Sequence, residues 1–111
     1  MARSDANKSK RKLRELAGEA HARELNEVLR DLDSLFTDWR EGRIDGFQLK
    51  EAIHHFHQGP SRHLYKLYGV LDAQRAVGRA LARGILDRKE LDDETYAIVQ
   101  HFEVAFGAVD D

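Results

Sequence analysis

"GRIDGFQL" occupies residues 42–49 and "GILDRKEL" occupies residues 84–91. Both read glycine, any residue, Ile or Leu, Asp, two residues, Gln or Glu, Leu. A glycine here suits the position just past a helix end, where a left-handed backbone costs it least. The Asp suits the N-cap of a new helix. Its side chain can accept a bond from an unpaired amide of the first turn, and a Gln or Glu three positions on can bond back. The aliphatic residue between them packs inward as a staple. The two stretches therefore predict one helix–corner–helix turn used twice, at Gly42–Leu49 and Gly84–Leu91. If the corners pack as a pair, Ile44 and Leu86 lie close together.

The same stretches resemble the middle of an EF-hand calcium loop, in which a glycine is sixth and an aliphatic residue eighth. Placed in that frame, the first loop offers Thr37, Trp39, Glu41 and Gln48 as ligands, and the second offers Arg79, Leu81, Arg83 and Glu90. Calcium takes six or more oxygens, mostly carboxylates, and a bidentate acid at the end. The first set holds one carboxylate among these places and the second holds two arginines. The likeness is one of shape, and a structural corner accounts for the shared residues.

Upstream of the first corner, apolar residues fall at Leu13, Leu16/Ala17, Ala20, Leu25, Val28/Leu29, Leu32, Leu35/Phe36 and Trp39. Steps of three and four are the helical period. The pattern predicts an amphipathic helix over residues 10–41, about 48 Å long. A compact domain of this size has a radius of gyration near 13 Å. The helix is thus expected to project beyond its body, leaving its N-terminal third without local cover, and Trp39 is expected to anchor it. Arg23 and Glu24 interrupt the apolar seam, so a long coiled coil is not indicated. Residues 1–9 read as a basic, flexible lead, and residues 42–111 as a compact helical domain.

Downstream, a helix is expected from Asp45 to about Gln58, stopped by Gly59-Pro60. Ser61 can cap a third helix, which Gly69 or Asp72 can break. After the second corner comes a last helix that "LDDE" can split. The small residues Ala73, Ala76, Val77, Gly78 and Ala80 suit a tight internal helix crossing. No segment alternates with the period of a strand. The fold class is all-α, a single small helical domain with a long N-terminal helix.

Composition narrows function. The chain has 111 residues, 34% of them charged, and no cysteine, which excludes a disulfide framework and thiolate chemistry. It fits a cytoplasmic setting. No apolar run reaches the roughly 20 residues of a membrane span. The start, "MARSDANKSKRKLREL", has no apolar segment and does not read as a secretory signal. Ser4, Ser9, Ser34 and Ser61 fall in no nucleophile motif, and no glycine-rich phosphate loop is present. The chain reads as a non-enzyme with no cofactor.

Charge is uneven. Arg3, Lys8, Lys10, Arg11, Lys12 and Arg14 against Asp5 make the head basic, while residues 87–111 carry eight acids against Arg88 and Lys89. That head, with the stripe Arg75, Arg79 and Arg83 spaced by four, could hold an anion or nucleic acid. Arg62 and Lys66, beside Tyr65 and Tyr68, add a smaller basic pair. The acidic tail could equally be the head's partner. Glu51, His54, His55 and His101 could supply a mononuclear metal site, within a run that also holds His57 and His63. The preferred reading is a protein–protein interaction module that self-associates through its first helix, with Leu16, Leu25, Val28, Leu29 and Leu32 as contacts. Another helical protein is the alternative partner; nucleic acid is less favoured, and a membrane is not expected.

Overall fold

A computed structural model describes the backbone of residues 2–108 and the side chains of residues 7–108. Helix α1 spans Ala2–Arg40, α2 Gly46–Phe56, α3 Arg62–Val70, α4 Ala73–Ala82 and α5 Asp93–Gly107. A π turn, His57–Ser61, joins α2 to α3, and a 3-10 turn, Arg88–Glu90, precedes α5. Among the described residues there is no strand. No helix there is long and apolar enough to cross a membrane.

The molecule measures 61 × 28 × 24 Å, with a radius of gyration of 17.7 Å. Its long dimension is set by α1, whose 39 residues span about 58 Å. This helix starts at Ala2 rather than near Lys10, and Ser9 is already buried. The lead expected over residues 1–9 is therefore largely helix.

Both corners have the same hydrogen bonds. The Gly42 amide donates to the Trp39 carbonyl (3.1 Å) and the Arg43 amide to Asp38 (2.8 Å). Equivalently, Gly84 donates to Leu81 (3.2 Å) and Ile85 to Ala80 (2.8 Å). These six-to-one and five-to-two bonds satisfy the last carbonyls of α1 and α4. They require a left-handed residue, and φ is 79° at Gly42 and 72° at Gly84. Each Asp then caps reciprocally with the residue three ahead. Gln48 N and Asp45 Oδ1 lie 2.8 Å apart, and Asp87 N and Glu90 Oε2 also 2.8 Å.

The corners diverge beyond that point. Asp45 starts the eleven-residue α2, whereas Asp87 starts only the 3-10 turn. Asp92 then caps α5 by accepting from Thr95 N at 2.7 Å. Nor do the corners pack together. The Ile85 carbonyl accepts from Arg23, while the first corner follows Arg40, about 26 Å farther along α1.

Gly59-Pro60 does not stop the helix. Proline lacks an amide, and its ring would crowd the carbonyl four residues back in an α-helix. The wider π turn relieves this clash, and helix resumes at Arg62. Ser61 makes no capping bond and keeps helical angles. The α2–π–α3 segment runs back along α1, burying Leu49 and Leu64. Asp72 breaks the chain by capping α4, accepting from Arg75 N at 2.8 Å.

The main core lies at the N-terminal half of α1. Leu13, Leu16 and Ala20 are 1%, 6% and 0% exposed, packed with Val77, Ala80, Leu81, Leu86, Leu91 and Val99. The N-terminal third of α1 therefore has its own cover, contrary to the sequence-based expectation. The small face of α4 makes this possible: a Cβ on Gly78 would lie 2.4 Å from Phe102 Cβ on α5.

Candidate interaction surface

The fold divides α1 into a proximal half inside the body and a distal half in a two-helix arm. Two polar clamps mark the junction. Arg23 Nη2 lies 2.6 Å from Glu90 Oε1, and Nη1 donates to Glu90 Oε2 and to the Ile85 carbonyl, both at 2.9 Å. This ties the second corner to α1. Hydrogen bonds from the Arg23 guanidinium, then from the Asp87 amide, hold the Glu90 carboxyl down at about 2.

The second clamp is more enclosed. Arg79 Nη1 donates to Glu24 Oε2 at 2.9 Å, and Tyr68 Oη donates to the same oxygen at 2.5 Å. The Arg79 and Glu24 side chains are only 9% and 17% exposed. His21 stacks on Tyr68, 4.5 Å between centroids and 6° between planes. Burial opposes ionisation of Glu24, but hydrogen bonds from Arg79 and Tyr68 outweigh it and lower its pKa. Burial, then the bond to Glu24, raises that of Tyr68. One residue from each of α1, α3 and α4 thus meets at a fixed point. The sequence marked Arg23 and Glu24 only as breaks in an apolar seam. That break, two adjacent charges in mid-stripe, was the available signal for both clamps.

The arm is covered less well. Leu25, Leu32 and Trp39 recur every seven residues, with Val28 and Leu35 between them and Leu29 and Phe36 alongside. Such a stripe is wider than one neighbouring helix can cover. Leu29 stays 41% exposed, Trp39 45%, Ile53 40% and Phe47 84%. Trp39, expected to anchor the helix, is about half exposed. Its indole Nε1 lies 4.0 Å from where a Cβ of Gly46 would stand, beside the first corner. Between α1 and the end of α2 lies a groove of about 180 Å³, lined by Val28, Leu32, Leu35, Ala52, Phe56 and Pro60, together with Asp31 and His55. Of the five contacts anticipated from the sequence, Leu25, Val28, Leu29 and Leu32 lie on this arm. Leu16 is in the core of the body.

Family models, curated proteins and solved structures yield no match to this chain.

The basic residues do not form one surface. In the stripe, Arg79 is held by Glu24. Arg75 bonds Asp72 and lies 5.0 Å from the Phe102 ring centroid. Arg83 acts electrostatically on Glu24. Lys8, Arg11 and Lys12 line a groove with Glu15, Asp92 and Glu94, and Lys12 and Lys8 help to lower the Asp92 pKa after its bonds with Thr95. Lys10 and Arg14 border a separate groove with Asp72, Ala73 and Gln74. The head therefore meets acids of its own chain at the start of α5. The side chains of Arg3 and Asp5, and residues Asp110 and Asp111, lie outside the described residues.

The histidines are not assembled either. His54, His55, His57 and His63 are exposed along α2, the π turn and α3. His101 lies on α5, which packs mainly on α4, and its ring sits 4.0 Å from that of Phe102, tilted by 38°. Among the described residues, no group of three or more His, Cys, Asp or Glu is placed to hold a metal ion. Glu51, His54, His55 and His101 are thus not brought together.

Proposed function

We propose that this chain is a non-enzymatic helical interaction module that self-associates through the distal half of α1 together with α2. The observation that carries this reading is the unequal cover of the two apolar stretches of α1 on either side of Arg23 and Glu24. The proximal stretch is buried, while the distal one leaves Leu29 and Trp39 open, and α2 leaves Ile53 and Phe47 open. Two antiparallel helices bury one face each and cannot enclose a core; four can. A second copy brings the same two helices, so a pair of arms makes a four-helix arrangement.

Sedimentation equilibrium of the intact chain over a range of concentrations tests the reading. A rise from 12.7 kDa toward twice that mass is expected, and Leu29→Glu should suppress it. A single monomer mass at every concentration would refute self-association. Trimming residues 1–24 is unsuitable, because Leu13, Leu16 and Ala20 build the core.

A further inference from the structure

We propose that two copies pair reciprocally, the Phe47 ring of each seated in the apolar groove between α1 and α2 of the other. This rests on the self-association proposed above and specifies how it is made.

The knob and the groove belong to the same chain but do not meet within it. Phe47 projects from the first turn of α2, 84% exposed, and has no polar atom to satisfy in water. The groove residues on α2 are Ala52, His55 and Phe56, which lie about 8–14 Å farther along the helix. An apolar cavity of about 150 Å³ accommodates a benzene ring, so this groove of about 180 Å³ has room for one phenyl group. In a two-fold interface every contact occurs twice, so one knob and one groove per chain are enough.

Area and charge agree with a second copy as the occupant. A standard interface buries about 800 Å² per partner, a little over half of it apolar. The exposed ring of Phe47 supplies on the order of 150–200 Å² of apolar surface per chain, and the groove walls Val28, Leu32, Leu35, Ala52, Phe56 and Pro60 that it covers add to this. Lys50 follows Phe47 by three residues on the same helix face, and Asp31 lines the groove. Seating Phe47 therefore brings Lys50 of one copy toward Asp31 of the other.

Sedimentation equilibrium of the full chain and its variants tests the pairing. Phe47→Ser should weaken dimerisation roughly 100-fold or more. Because Phe47 is exposed, helicity by circular dichroism should stay unchanged. Asp31→Lys and Lys50→Asp should each weaken the dimer roughly 10-fold, and their combination should recover most of the loss. Trp39 emission should shift to the blue as wild-type protein is concentrated. A dimer that tolerates Phe47→Ser would overturn the pairing and leave self-association standing. Open-ended growth past the dimer would exclude the two-fold arrangement, and a wild-type chain that never dimerises would remove both proposals.

Discussion

Gly78→Ala and Gly18→Ala are the same substitution in two helix interiors, and they should move stability in opposite directions. Replacing a mid-helix glycine by alanine gains about 1 kcal/mol from backbone entropy. At Gly18 nothing lies within 4 Å of the new methyl group, so the gain should appear nearly in full. At Gly78 the methyl would stand 2.4 Å from Phe102 Cβ, 3.0 Å from the Phe102 carbonyl carbon and 3.1 Å from the Glu103 nitrogen. Carbon atoms pack best at about 3.5–4.0 Å. No side-chain rotation moves a Cβ or a backbone atom, so α4 and α5 must separate by about 1 Å. Overpacking of this kind costs about 1–3 kcal/mol, and separation also loosens Val77, Ala80 and Val99, which share the core. Set against that gain, the net effect is a loss of up to about 2 kcal/mol. In a chain of this length that lowers Tm by up to about 10 °C, while Gly18→Ala raises it by about 3–5 °C. Thermal circular dichroism at one low protein concentration keeps association constant between variants. A Tm for Gly78→Ala at or above that of Gly18→Ala would refute the close helix approach.

Glu24→Leu strands the enclosed Arg79 guanidinium and should cost about 3 kcal/mol in urea unfolding, with Arg79→Met in the same chain restoring most of it; equal losses in the single and double variants would deny the pairing. Acid should weaken the second corner: the Glu90 pKa of about 2 lies below its ordinary 4.5, so its contribution is complete above about pH 5 and disappears as pH falls through 2. Glu90→Gln should therefore flatten part of the fall in Tm over that range, and an unchanged pH profile would contradict the clamp. Gly84→Ala, at φ 72°, should cost about 1 kcal/mol by chemical denaturation; a neutral effect would mean that the corner does not need its left-handed residue.

Local chemistry was the legible part of the sequence. The corner motif announced its left-handed glycines and reciprocal caps, because each depends on residues within six positions of one another. The small face of α4 announced a tight crossing, since Ala76, Gly78 and Ala80 leave no side chain to hold a neighbour away. What remained hidden depends on which elements meet. The proximal apolar residues of α1 looked uncovered because nothing in the pattern of α1 says that α4 and α5 return to it. Arg79 read as one member of a basic stripe, although its partner, Glu24, is 55 residues away. Gly59-Pro60 read as a terminator because a π turn has no sequence signature distinct from a stop. The candidate surface was half legible: the periodicity of α1 named Leu25, Val28, Leu29 and Leu32, but the exposure of Phe47 on α2 required the three-dimensional arrangement.

The widened turn at His57–Ser61 has a consequence for phase. A π turn amounts to one additional residue in an α-helix, and each residue advances the azimuth by about 100°. The side chains of α3 are therefore rotated by that angle from where an uninterrupted α2 would carry them. This rotation lets one nearly continuous rod direct Leu49 at α1 and, about 28 Å on, aim the Tyr68 hydroxyl at Glu24. Excising Pro60 would remove both the extra residue and the ring that the turn accommodates, keeping the rod helical but spinning Tyr68 off its Glu24 acceptor and leaving Arg79 alone to hold that carboxylate.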